Sequence, residues 1–304
     1  MRNQPPVRRP RSADEVRRAV PALDPAAEIR PVDEGGEHST WRVGGTGVLR
    51  LALDADGSRR QHREIALRDT VRRHTRIPLP ASVLAGFWAP GLSFTLDAAL
   101  PGVSAERRPV TRAGEEDLAG LLAALRTLPA AVPAALGVPR ESPRAAAPLY
   151  EEARGAGERL RSDGEFPRGP LTLAAGGDGV PGPSGEALLH HDLKGEHLLV
   201  TPSGGIGGVL DWTDAALGDP AEDVAGLAIA VGAPAAVRIA LGAGHDAAVC
   251  RRALFLARAD TLIRLSDRLH GDDDSPPELL RAQRTRAWRP TALDRDAGAD
   301  VLTT

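Results

Sequence analysis

Leu188-Leu189-His190-His191-Asp192-Leu193-Lys194-Gly195-Glu196-His197-Leu198-Leu199-Val200 is an apolar entry, a polar knot and an apolar exit. A second unit of the same kind, Gly208-Val209-Leu210-Asp211-Trp212, follows it. Each is a short β-type run that brings one carboxylate to a loop edge. Phosphoryl transfer needs two such acids, one to aim or deprotonate a hydroxyl and one to hold the cation that bridges nucleotide phosphates. In isolation, each aspartate also suits an ordinary turn that caps backbone amides.

The rest of the chain narrows the choice. Its 304 residues are enough for one large or two ordinary domains. The 42% apolar and 26% charged composition is that of a soluble globular protein. A net charge of -3 argues against a general nucleic-acid binder, which carries a basic surplus. Lys194 is the one lysine, so arginine has to do whatever basic chemistry the remainder requires. Cys250 is the sole cysteine, which excludes an internal disulfide and a cysteine-based zinc site, and its helical setting favours burial. The first ten residues contain no signal-peptide core, and no apolar run has the length of a membrane span. A cytoplasmic protein without nucleic-acid or membrane partners is expected.

Along the chain, Ser12-Ala13-Asp14-Glu15 has the form of a capping box and predicts a short helix to about Leu23. Strands are predicted over 28–32, 40–43 and 48–53, the last two joined by a turn at Gly44-Gly45-Thr46-Gly47. A helix from Ser58 to about His74 follows, then strands over 82–85 and 92–96. Beyond a linker at 99–102 the periodicity becomes helical. Helices are predicted over 111–128, 148–161, 221–232, 234–242, 246–268 and 276–286, and a polar, disordered tail from Pro290. These expectations divide the chain into an arm (1–24), a small antiparallel-sheet lobe (25–98), a larger helical lobe (99–289) and a tail (290–304), with a cleft between the lobes. The class is α+β.

His190-His191-Asp192-Leu193-Lys194-Gly195-Glu196-His197 resembles the H-G-D-x-x-x-x-N catalytic loop of aminoglycoside phosphotransferase-like small-molecule kinases. Val209-Leu210-Asp211-Trp212 with Gly218-Asp219-Pro220-Ala221-Glu222-Asp223 resembles that family's I-D-W…G-D-P-x-x-D segment. Order and spacing agree, and the likeness covers roughly residues 25–270. It implies a protein-kinase-like two-lobe fold, with ATP or GTP and Mg²⁺ bound between the lobes. Asp192 matches the catalytic aspartate, and Asp211 matches the metal-binding one. His190 matches the histidine that braces the loop, and Lys194 lies close enough to Asp192 to touch the transferred phosphoryl. Asp219 and Asp223 fit a cap and first-turn acid on the helix beginning at Pro220.

Two positions depart from the pattern. His191 stands where glycine is usual, so its backbone must tolerate a side chain. His197 stands where asparagine is usual, and imidazole is a softer ligand than Mg²⁺ prefers. Three readings of His197 stay open: a metal ligand, a group that orients Asp192 or Asp211, or the mark of a weakened second metal site. In the first lobe, Gly35, Gly36, Ser39 and Thr40 lie where kinases fold a loop over phosphates. Arg50 takes the strand position of the phosphate-binding basic residue, and Glu64 the acid that pairs with it. The linker, Asp97 and Ala99 included, is expected to face the base through backbone groups.

The activity implied is transfer of a γ-phosphoryl group to a hydroxyl of a small-molecule acceptor, an antibiotic such as an aminoglycoside. A macrolide, peptide or nucleoside antibiotic or an amino alcohol is the alternative acceptor. A nucleotide- or ligand-binding protein with little catalysis is the alternative class. Acidic candidates for a cationic acceptor are Glu151, Glu152 and Asp272-Asp273-Asp274, and the few candidate stacking aromatics include Tyr150, Phe166, Trp212, Phe255 and Trp288.

Overall fold

The computed structural model describes residues 9–32, 38–165, 173 and 179–294. The chain divides into two compact units, one formed by Met1–Arg73 with Pro78–Pro101 and the other by His74–Ile77 with Gly102–Thr304.

The first unit is built on a five-stranded antiparallel sheet in the order β1-β2-β3-β5-β4. The strands are β1 (Ile29–Pro31), β2 (His38–Val43), β3 (Gly47–Ala52), β4 (Ser82–Ala89) and β5 (Leu92–Ala98), with helices α1 (Ala13–Ala19) and α2 (Ala55–Val71). Ser12 caps α1 by accepting the Glu15 N–H, as the box at that point predicts. Helix α2 starts three residues before the expected Ser58, because Asp54 accepts the Gly57 N–H and ends the preceding strand.

Strand alternation gives the sheet two different faces. Trp41, Val43, Leu49, Leu51 and Phe94 join Val16 of α1 and Val20, which caps its C-terminus, in an apolar core. On the other face Ser93, Thr95 and Asp97 of β5 are buried with the polar side of α2, which includes Ser58, Gln61, Glu64 and Arg68. That face is polar yet almost dry. Gln61 ties it together, donating to the Arg50 carbonyl and Thr95 Oγ1 and accepting from Ser93 Oγ.

The second unit is mainly helical. Its helices are α3 (Arg112–Thr127), α4 (Ala131–Ala135), α5 (Ala146–Ser162), α6 (Ala221–Ala230), α7 (Ala233–Gly242), α8 (Ala247–His270) and α9 (Pro277–Ala287). Helix α8 packs on α5, α6 and α9 and is buried along most of its length, Cys250 included. Two small antiparallel ladders are set into this framework. One pairs β7 (Ala187–Leu189) with β10 (Ala216–Gly218), and the other runs β6 (Val103–Ser104), β8 (Leu198–Val200), β9 (Ile206–Val209). The short strands β6 and β10 and helix α4 go beyond the sequence expectation, being too short for a periodic signal. The polar tail expected from Pro290 begins with a docked segment: Asp294 accepts from both terminal nitrogens of Arg258 and from the Thr291 N–H. Among the described residues no helix is long and apolar enough to cross a membrane.

The β8–β9 hairpin is clamped by close backbone approach. Gly204 in its turn sits at φ +84°, its carbonyl accepts the Thr111 N–H at 3.0 Å, and a Cβ there would lie 2.1 Å from Thr111 Cγ2. Gly204→Ala therefore costs both the left-handed conformation and the α3 contact, about 1–3 kcal/mol. Urea unfolding of the variant is expected to show that loss, and an unchanged midpoint would contradict the clamp.

Candidate active site

Strand β7 delivers His190 to a wholly buried position. Its Nε2–H donates to the Leu210 carbonyl at 2.8 Å, and its Nδ1 accepts the Asp192 N–H at 3.2 Å, which fixes the tautomer. Trp212 meets the ring edge-on at 4.7 Å. Burial, helped by the neighbouring His197, lowers the imidazole pKa to about 4. At neutral pH it is an uncharged brace between the two acidic loops.

Asp223 reaches across from the first turn of α6. Its Oδ2 accepts the His190 N–H at 2.8 Å and its Oδ1 accepts the His191 N–H at 2.7 Å. It is the first-turn acid expected from sequence, and its carboxylate is in addition the anchor of the loop. Burial raises its carboxyl to about 6, against the opposing effect of the two amides. Asp219 does meet the helix start, accepting the Ala221 N–H at 3.1 Å, while its other oxygen pairs with Arg252. Held in this way, His191 takes φ +68°, a left-handed conformation that costs a side-chain-bearing residue about 1 kcal/mol.

The next residue is Asp192. Its Oδ1 lies 2.6 Å from Lys194 Nζ and its Oδ2 lies 3.3 Å from His197 Nδ1. Its carbonyl accepts the Lys194 N–H at 2.8 Å and the His197 Nδ1–H at 2.9 Å. His197 ends a 3₁₀ turn, Gly195–His197, and Glu196 beside it faces solvent. The Gly195 carbonyl is tied to the Ala105 N–H and Ser104 Oγ.

The β8–β9 ladder, with Leu198 opposite Val209, brings the second acid to the same end of the hairpin. Asp211 sits at φ +56° with its side chain 50% exposed. Its Oδ2 is 3.9 Å from His197 Nε2. Because His197 Nδ1 carries the hydrogen, Nε2 and Asp211 face each other as two acceptors. A cation, or a second proton on the ring, satisfies both. Among the described residues no three His, Cys, Asp or Glu side chains form a ready-made metal cage. The protein offers two donors at most, the usual case for an ion that keeps water and phosphate in its shell.

In the first unit Arg50 meets Glu64 at 2.9 Å, the pair expected from sequence. The pair is half of a larger lattice. Arg50 also lies 3.3 Å from Asp97, and Arg68 contacts Asp97 at 2.9 Å and Glu64 at 3.5 Å. Ser82 Oγ donates to Asp97 at 2.5 Å. Burial raises the Asp97 carboxyl, but Arg68 and Arg50 outweigh that and hold it below the usual carboxylate range. Asp97 thus lies in β5, next to its last residue, with its side chain in a buried ion cluster. Ala99 is also spoken for on its donor side, since its N–H bonds the Thr46 carbonyl at 2.7 Å. Ser39 is wholly buried, with its Oγ accepting the Trp41 Nε1–H at 2.9 Å, so burial withdraws its hydroxyl from a phosphate. Thr40 lies opposite Arg50 on the other face. Gly35 and Gly36 lie outside the described residues, as does Phe166.

Beside His191 the second unit contains a cavity of about 150 Å³, lined by Glu141, Arg144, Leu189, Asp219 and Glu222 among others. None of these acids was among the sequence candidates. Glu151 instead pairs with Arg154, and Asp273 accepts the Ser275 N–H and meets Arg264. Trp212 and Phe255 are buried in packing, and Trp288 lies under the Arg258 guanidinium.

The profile of the phosphotransferase enzyme family matches residues 28–259. The chain belongs to this family. Among curated relatives, it is similar to viomycin phosphotransferase of Streptomyces vinaceus, with 37% identity over 97 residues, 31% of this chain and 33% of that one. The chain is matched over a third or less of the length of the curated relatives. Among solved structures it is similar to the GDP and kanamycin complex of APH(2″)-IIIa, with a TM-score of 0.63, 18% identity and coverage of 94% and 98% of the two chains. It is also similar to the macrolide 2′-phosphotransferase of Brachybacterium faecium, with a TM-score of 0.56, 21% identity and coverage of 88% and 94%. These likenesses establish the kinase-like α+β fold of the chain.

The buried neutral imidazole gives a pH test. Unfolded, His190 titrates near 6.5 and folded near 4, so unfolding takes up a proton between these values. Stability falls as pH drops through that window, by at most about 3 kcal/mol from this group, and is unaffected by it above 6.5. His190→Gln is expected to flatten the stability profile between pH 6.5 and 4. A profile that keeps its slope would show that His190 is not the group responsible.

Proposed function

We propose that this phosphotransferase moves the γ-phosphoryl group of ATP or GTP to a hydroxyl of a small-molecule antibiotic, an aminoglycoside or a related acceptor. The observation that carries the reading is the setting of Asp192. Its carboxylate is fixed between Lys194 and His197 on a loop whose two preceding amides end on Asp223. A base so placed can aim a hydroxyl and accept its proton as the new P–O bond forms. The Lys194 ammonium sits 2.6 Å from Asp192, where it can offset charge on transferred phosphoryl oxygens. His190 keeps the loop and Asp211 in register from below. Arg50 of the first unit is the basic residue suited to phosphate, oriented by Glu64 and Asp97.

Asp211 and His197 fit a divalent cation as a two-donor set, one carboxylate oxygen and one imidazole nitrogen. Bound there, Mg²⁺ would neutralise phosphate charge and help fix phosphate geometry. Relatives support the substrate classes without fixing this chain's own: some similar structures are named as nucleotide complexes, and one curated relative as a viomycin phosphotransferase.

The test is direct. Purified protein is incubated with labelled ATP or GTP, Mg²⁺ or Mn²⁺, and a panel containing kanamycin, gentamicin, viomycin and a macrolide. At least one phosphorylated product is expected, and Asp192→Asn is expected to lower its rate by about 10²–10⁴-fold. If His197 is a metal ligand, His197→Asn shifts the preference between Mg²⁺ and Mn²⁺. Nucleotide and antibiotic binding without turnover anywhere on the panel would overturn the assignment.

A further inference from the structure

The buried ion cluster of the first unit holds one more cation than a phosphate-binding arginine requires. Arg50 meets both of its acids through one nitrogen, Nη2, with Glu64 at 2.9 Å and Asp97 at 3.3 Å. Two carboxylates around a single guanidinium carry a net negative charge, the wrong sign for receiving a polyphosphate.

Arg68 corrects that sign. It lies one turn beyond Glu64 on α2, with its side chain 1% exposed. Its Nη1 donates to Asp97 Oδ2 at 2.9 Å and its Nη2 to Asp97 Oδ1 at 3.4 Å, while Glu64 Oε1 is 3.5 Å from Nη1. Ser82 closes the contact, accepting from Arg68 at 3.1 Å and donating to Asp97. Burial pushes the Asp97 carboxyl up, and Arg68, more than Arg50, brings it below the usual carboxylate range. Asp97 is therefore the partner of Arg68 first and of Arg50 second. Arg50 keeps Glu64 as its closer acid, and its side chain is 13% exposed. Replacing a buried ion pair by apolar residues is often neutral for stability, so stability alone does not account for the second pair. A side chain as enclosed as Arg68 is out of a ligand's reach. What it changes is the charge that a phosphate meets at Arg50.

We propose that Arg68 is a positioning residue for nucleotide phosphate: by taking up Asp97 it neutralises the cluster and leaves the Arg50 charge to the phosphate oxygens. The inference rests on the reading of Arg50 as the phosphate-binding residue. It goes further, because it makes phosphate affinity depend on two buried side chains, Arg68 and Asp97, with opposite effects.

The experiment is calorimetric titration of ADP and GDP, with adenosine and guanosine as phosphate-free controls. The proteins are wild type, Arg50→Met, Arg68→Met, Asp97→Asn and the double variant Arg68→Met/Asp97→Asn, each checked for folding by its urea midpoint. Arg68→Met is expected to weaken the diphosphate that binds wild type by about tenfold, since Asp97 then turns its charge on Arg50. Asp97→Asn, which leaves the cluster with a positive excess, is expected to tighten it by about threefold or more. The double variant is expected to return to within about threefold of wild type. Nucleoside affinity should be the same in all five proteins.

A merely structural cluster gives another pattern, in which both single variants lose stability, neither tightens the diphosphate and the double variant is no better than Arg68→Met. The double variant removes a buried cation and a buried anion together, so the effect of Arg68 is read again between it and Asp97→Asn if Arg68→Met does not fold. Diphosphate affinity in Arg68→Met equal to that of wild type would overturn the inference, as would affinity in Asp97→Asn that is no tighter. With Arg50→Met still weakened, either result leaves the phosphate reading of Arg50 standing. Unchanged diphosphate affinity in Arg50→Met would sink both.

Discussion

The carboxylate of Asp223 accepts the backbone N–H groups of His190 and His191, and the placement of the reactive groups in the second unit follows from that bond pair. A buried carboxylate without partners is expensive, and two amides offset much of that cost. In satisfying it they force the chain into a left-handed turn at His191 and send Asp192 out of the core. His190, whose ring spans from the Asp192 amide to the Leu210 carbonyl, transmits the same constraint to the second acidic loop. Apart from the 3₁₀ turn at Gly195–His197 neither loop has regular structure of its own, so they are held by these side-chain-to-backbone bonds and by the β8–β9 clamp.

The first unit meets a different constraint with the same economy of residue types. A chain with one lysine, already committed to the loop at 194, has only arginine to offer at the strand position proposed for phosphate. A guanidinium is broad and keeps its charge, so a single acid does not fix its orientation. Here two arginines and two acids close into a neutral, almost fully buried ring of Arg50, Glu64, Arg68 and Asp97. A polar sheet face under α2 accommodates it. Breaking one member leaves an uncompensated buried charge, which ties the orientation of Arg50 to the integrity of the whole lattice.

Much of this was legible in the chain. The pair of apolar runs ending in Asp192 and Asp211 announced the two loops, and helix periodicity placed α3 and α6 to α9 within a few residues. Arg50 and Glu64 were legible as a pair. What escaped was set by faces and by distance. Ser39 shares its strand face with Trp41 and Val43, so period-two alternation already pointed it into the core and away from phosphate. Arg68 lies one turn beyond Glu64, and Asp97 continues the polar stripe of Ser93 and Thr95. Both signals were present, and both needed the sheet order to be interpreted. The loop-anchoring part of Asp223 had no such local sign, because it comes from contact with a loop more than thirty residues away.

We propose that the grip of Asp223 on two amides aims Asp192 for transfer. The single-turnover rate of phosphoryl transfer in Asp223→Asn tests it most directly, because asparagine keeps the shape but offers one acceptor oxygen for two donors. The account predicts a folded protein with unchanged nucleotide affinity and a transfer rate reduced by about a hundredfold. A folded variant that transfers phosphoryl at the wild-type rate would contradict it.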